Sequence, residues 1–139
     1  MKSIRKIITA AAAAAVIATV GATTALAALP PTDGVDVKYP STYIELDYGA
    51  GYSKVINTST FTRYCEAYVE TQNRDTFAPI SGGSAFKYGN CAPNNSLTAQ
   101  VGSDYLSTDY RYYCSGSMRG GATPSAPIID SIVKYYYPN

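Results

Sequence analysis

The chain has 139 residues, 46% of them hydrophobic, and a formal net charge of +1. Three of its eleven basic residues and none of its ten acidic ones lie in residues 1–27, so the remaining 112 carry a net charge of −2 and have the length of one ordinary domain. That charge excludes attraction to nucleic acid or to an anionic membrane as the main activity. The absence of histidine removes Ser-His-Asp and Cys-His chemistry and the usual catalytic zinc sites.

Lys2, Arg5 and Lys6 give a positive start, Ile7 to Val20 carry no charge, and Ala25-Leu26-Ala27 supplies the small-x-small pattern that signal peptidase reads. The apolar run is short, contains six consecutive alanines and is followed by no stop-transfer charges. A cleaved signal peptide over residues 1–27 is therefore expected, rather than a membrane anchor, and with it a secreted, extracellular protein. Cleavage after Ala28 is nearly as good. No cysteine sits near the cleavage site for a lipid anchor, and Tyr135 to Asn139 form neither a hydrophobic tail nor a basic stop, so no transmembrane anchor is expected in the mature form. Leu29-Pro30-Pro31-Thr32-Asp33 resembles a wall-sorting signal, but it stands at the wrong end and Asp33 replaces the required glycine. Residues 28–41 are read as an extended linker, and 42–139 as the folded domain.

Ile, Leu, Val and Phe supply only 19 of the 112 remaining residues, yet 14 tyrosines accompany them and the net charge is low, which contradicts disorder. Tyrosine must then provide much of the buried area, as a pleated surface allows. Strands are expected at Thr42 to Tyr48, Tyr52 to Asn57, Thr60 to Thr71, Ser84 to Cys91, Leu97 to Val101, Asp109 to Arg119 and Ile128 to Tyr137. The breakers between them are Gly49-Ala50-Gly51, Gln72 to Asp75, Gly82-Gly83, Pro93 to Ser96, and Gly120-Gly121 with Pro124 and Pro127. About seven short strands at this spacing specify an all-β fold, a single antiparallel β-sandwich. In Thr60 to Thr71, Phe61, Arg63, Cys65, Ala67 and Val69 share the expected core face, opposite Thr62, Tyr64, Glu66, Tyr68 and Glu70. In Asp109 to Arg119, Tyr112, Cys114, Gly116 and Met118 oppose Arg111, Tyr113, Ser115, Ser117 and Arg119.

An exported chain with Cys65, Cys91 and Cys114 is expected to form one disulfide and leave one thiol over. Cys65 and Cys114 lie mid-strand on inward faces, whereas alternation turns Cys91 outward if Phe86 points inward, so Cys65–Cys114 is the favoured bridge and Cys91–Cys114 its rival. Cys65 and Cys114, with Tyr112 two residues before the latter, resemble the paired cysteines and tyrosine corner of immunoglobulin domains. There is no Trp to pack on the bridge, and Asp109 stands one position from the expected acidic residue. The chain as a whole is broadly similar to small secreted bacterial β-sandwich proteins with alanine-rich signals, a class that includes the lactococcin 972 bacteriocins. That likeness implies a bacteriocin-like antimicrobial as an alternative function, though no specific motif is shared.

Catalytic motifs are sparse. Ser-x-x-Lys occurs at Ser84–Lys87, at Ser131–Lys134 and within the expected signal at Ser3–Lys6, without the partner motifs that give the spacing meaning. Glu66 and Glu70 share a face but stand roughly 13 Å apart at strand rise, beyond the reach of either standard glycosidase geometry. A carboxylate-dependent extracellular hydrolase therefore ranks last, and no catalytic residue, metal site or cofactor is expected. Asp33 with Asp36, or Asp104 with Asp109, lack the acidic density of a calcium loop. Asn57-Thr58-Ser59 and Asn94-Asn95-Ser96 match the N-glycosylation pattern. What remains is the tyrosine face. Tyr64, Tyr68 and Tyr113, with Arg111, form the expected binding surface for an extracellular ligand, a cell-wall glycan or a protein, provided their two strands are neighbours; the alternative is that cross-strand Tyr pairs only stabilise a sheet poor in aliphatic residues.

Overall fold

The computed structural model describes residues 37–139; the expected signal peptide and most of the expected linker lie outside them. Eight strands follow in chain order: β1 (Val37–Pro40), β2 (Ile44–Gly49), β3 (Tyr52–Asn57), β4 (Arg63–Asn73), β5 (Pro79–Cys91), β6 (Ser96–Gln100), β7 (Tyr110–Arg119) and β8 (Ile128–Tyr136). A short 3-10 turn at Ser103–Tyr105 precedes β7. The strands form two four-stranded antiparallel sheets, one ordered β1-β2-β3-β6 and the other β5-β4-β7-β8. They lie face to face, β3 over β4 and β7, as in a sandwich. The extra strand is β1, which pairs with β2 inside the segment expected to be linker.

Period two explains what lies between the sheets. Ile44, Leu46 and Tyr48 of β2 and Val55 of β3 meet Cys65, Ala67 and Val69 of β4, Tyr112, Cys114 and Met118 of β7, and Ile132 of β8 in one cluster. Several polar groups that enter this layer are bonded, although the fully buried Thr71 hydroxyl has no hydrogen-bond partner. Ser53 donates its hydroxyl across to the Ser115 carbonyl at 2.8 Å. Asn57 is fully buried and its amide donates to the carbonyls of Phe61 (2.8 Å) and Cys91 (2.7 Å), tying the end of β3 to the other sheet. Of the two N-glycosylation patterns, the first is thus a structural pin with no free amide, while Asn94 is exposed in a turn at φ 64°. Asp130 performs a similar task at the other edge, accepting from the Ser41 hydroxyl and from the backbone N–H groups of Tyr43 and Ile44.

Tyr112 is fully buried; its hydroxyl donates to the Tyr105 carbonyl and accepts from the Ser107 N–H, both at 3.0 Å. The local likeness to a tyrosine corner therefore holds. The cysteine part does not. All three cysteines are free buried thiols, and β4 pairs with β7 so that Cys65 faces Met118 while Cys114 faces Val69. Cys65 and Cys114 are four ladder positions apart, roughly 13 Å, about twice the span a disulfide bridges. The expected Cys65–Cys114 bridge is thus replaced by a different neighbourhood: Cys91 is the diagonal neighbour of Cys65 across the β4–β5 ladder. The error lay in Phe86. It pairs with Tyr68 on the outer face, which turns Cys91 inward by alternation. Phe61 also departs from expectation, standing outside β4 at 64% exposure with the Arg63 guanidinium 5.2 Å over its ring.

Candidate functional site

The two outer faces of the sandwich differ in chemistry. Outside the β1-β2-β3-β6 sheet the contacts are ionic and polar: Lys54 stands 3.6 Å from Asp47, which also accepts from the Tyr52 hydroxyl, and Lys38 lies 3.9 Å from Glu45. The outer face of the β5-β4-β7-β8 sheet carries aromatic rings.

β4 and β7 are direct neighbours. Their register places Tyr68 opposite Ser115, Glu70 opposite Tyr113 and Gln72 opposite Arg111, so Tyr64, Tyr68, Tyr113 and Arg111 occupy one face. Adjoining strands extend that set. Tyr64 lies 6.1 Å from Tyr88, Tyr88 5.4 Å from Phe86, and Phe86 6.4 Å from Tyr68. Tyr68 lies 6.0 Å from Tyr113, and Tyr113 5.5 Å from Tyr135, completing a belt of rings across four strands. These separations are those of stabilising aromatic pairs. At the far end Arg111 sits between two rings, its guanidinium carbon 3.7 Å from the Phe77 centroid and 4.6 Å from that of Tyr135.

A hydrogen-bonded line runs beside the belt. The Tyr68 hydroxyl donates to one Glu70 oxygen and the Gln72 amide to the other, each at 2.7 Å. Arg111 Nε donates to Gln72 Oε1 at 2.8 Å, and its Nη1 to the Tyr137 hydroxyl at 3.1 Å. Near the opposite end Glu66 accepts from the Ser117 hydroxyl (3.0 Å) and pairs with Arg119 (3.4 Å). Burial pushes the phenols of Tyr64, Tyr68 and Tyr113 above their ordinary value; the hydrogen bond to Glu70 adds to this for Tyr68. At neutral pH they therefore remain protonated.

The residues named from sequence divide by depth. Tyr68 and Tyr113 are only 6% exposed and, with Phe86, form a second apolar cluster on the side of the sheet away from the main core. Tyr64 and Arg111 are half-buried. The accessible rings are ones that sequence reasoning left out: Tyr88 at 50%, Tyr135 at 46% and Phe77 at 51% exposure. Alternation carries the signal for Tyr88, since it shares the face of Phe86 once Phe86 is turned outward.

The face is shallow. A depression between Glu66, Tyr68 and Phe86 over Ser115 and Ser117 measures about 10 Å³, room for a water. A wider open cleft of about 620 Å³ lies at one end of the sandwich, lined by Asn73, Arg74, Asp75, Thr108 and Asp109. The Ser-x-x-Lys spacings bring nothing together, because residues three apart on a strand face opposite ways: Ser84 pairs with Glu70 of the outer set, whereas Lys87 pairs with Ala67 of the inner set. No family model, curated protein or solved structure matches the chain.

Proposed function

We propose that the chain is a secreted, non-catalytic β-sandwich protein that binds an envelope glycan on the outer face of its β5-β4-β7-β8 sheet. The observation carrying this reading is the contiguous aromatic belt with its exposed rim at Tyr88, Tyr135 and Phe77. Exposed rings beside fixed carboxylate, guanidinium and hydroxyl groups suit a sugar, whose C–H faces pack on aromatic planes while its hydroxyls need hydrogen-bond partners. An extended chain needs a shallow face rather than an enclosed pocket. The carboxylates of the face are committed, Glu66 to Ser117 and Arg119 and Glu70 to Tyr68 and Gln72, and Asp75 and Asp109 in the open cleft are exposed.

Co-sedimentation with isolated peptidoglycan and wall polysaccharide tests the reading. The parent should pellet with one of these materials. A Tyr88→Ala/Tyr135→Ala variant with unchanged far-UV circular dichroism should lose at least tenfold in affinity, because stacked rings supply the contact area. Absence of binding by the parent, or equal binding by the variant, refutes the glycan reading.

A further inference from the structure

We propose that Cys65 and Cys91 form a cross-strand disulfide joining β4 to the edge strand β5, with Cys114 excluded as a permanently buried thiol. The register is the first support. Arg63 faces Cys91 and Cys65 faces Gly89, so Cys65 and Cys91 are diagonal neighbours on the same inward face. The residue directly across from Cys65 is glycine, so no side chain stands between the two sulfurs, and the thiols are near enough to influence each other's ionisation. Cys91 ends β5 and leads into a turn, where the backbone can adjust as the sulfurs close to bonding distance. Both thiols are buried, at 0% and 2% exposure.

Cys114 is isolated by the same ladder. It faces Val69, and its thiol points at the Tyr52 carbonyl, 3.4 Å away in the opposite sheet. Burial holds this thiol well above its ordinary range, and Cys65 stands four ladder positions away.

Burial raises both thiols, Cys65 to about 12, and the neighbouring sulfur adds to the rise at Cys65 while opposing it at Cys91. Cys91 is therefore the sulfur that attacks. Its thiolate displaces one thiolate from a small-molecule disulfide to give a mixed disulfide. Cys65 then loses its proton to solvent and attacks the Cys91 sulfur, releasing the second thiolate. Two protein thiols are oxidised to one disulfide, and the small disulfide is reduced to two thiols. Burial makes both steps slow at neutral pH and faster as pH rises.

The test uses the reduced protein equilibrated with oxidised glutathione at pH 8.5, quenched in acid, alkylated and mapped without reduction. A Cys65–Cys91 linked peptide with Cys114 alkylated is expected, together with a rise in Tm on the order of 10–20 °C over the reduced protein. A Cys114→Ser variant should keep both the linkage and the rise, whereas Cys91→Ser should lose them. Recovery of Cys114 in a bridge, or of three alkylated thiols after equilibration, overturns the assignment. Because Cys114→Ser retains both partners, it tests the bridge even if Cys91→Ser fails to fold.

Discussion

Gly116 lies at the middle of β7, facing inward between Cys114 and Met118, opposite Ala67 on β4 and Ile132 on β8. A Cβ built there would lie 2.2 Å from Val55 Cγ2 and 3.2 Å from Leu46 Cδ1, both side chains of the opposing sheet. A single methyl at this position must therefore push the sheets apart locally or drive Val55 from its rotamer. Overpacking of this kind costs about 1–3 kcal/mol, and a central site with fully buried neighbours on every side belongs at the upper end. In urea, where a domain this size has an m-value of about 1 kcal/mol per molar, Gly116→Ala should lower the midpoint by about 2 M without changing the slope. Val55→Ala should be destabilising on its own, because it opens a cavity. Combining the two should recover part of the loss, since the new methyl enters the space that Val55 vacates. The expected coupling energy is at least about 1 kcal/mol in the restoring direction. If Gly116→Ala unfolds within about 0.5 kcal/mol of the parent, or the pair is additive, the sheets do not meet as described.

Two further perturbations address the polar pins and the phenols. Asn57→Ala removes its bonds to the carbonyls of Phe61 and Cys91 and the side-chain oxygen that accepts from the Ser59 N–H and hydroxyl, so thermal unfolding should show a loss of about 2–3 kcal/mol. Burial raises the folded-state pKa of Tyr68, Tyr113 and Tyr112, so their contribution to stability is complete below the unfolded tyrosine value near 10 and is lost as pH rises beyond it. Phenolate absorbance should therefore show the exposed tyrosines ionising first and the buried ones only with unfolding at high pH; reversible ionisation of all 14 in a single step near pH 10 in the folded protein would contradict this.

Strand position was legible because strict alternation needs no tertiary information. Tyr52–Asn57 occupies the expected residues, and the inward set Tyr112, Cys114, Gly116 and Met118 is the observed one. What failed required knowledge of the partner strand. Gly82-Gly83 reads as a break, yet it is a bulge within β5. Gly82 takes φ 78°, the Tyr105 hydroxyl fills the space a Cβ would need, and the β4–β5 register shifts between Glu70 and Gln72. Pro79 is tolerated because it opens an edge strand. The four-residue β1 is too short and too exposed to leave a periodic trace. Assigning Phe86 to the core by its hydrophobicity inverted the phase of β5, and with it the side on which Cys91 lies. The same inversion hid Tyr88 from the candidate face, while Tyr135 and Phe77 join it only through the strand order β5-β4-β7-β8.

The scarcity of aliphatic residues and the aromatic face have a common physical basis. A sheet with few Leu, Ile and Val residues can gain buried area by packing rings on both of its sides, and Tyr68, Phe86 and Tyr113 do this away from the main core. Their hydroxyls and edges are already paired, so sheet stability alone accounts for them. It does not account for the rim. Tyr88, Tyr135 and Phe77 leave roughly half of their surface in water, on the outer face that carries the aromatic belt. Arg111 is held between two of those rings and hydrogen-bonded through Gln72, so this end of the face is ordered without a ligand. Order established beforehand lowers the entropy lost on binding. A floor that is already packed and a rim that is still exposed are therefore separable by substitution. Removal of a rim ring should reach the ligand first, and removal of a floor ring should reach the fold first.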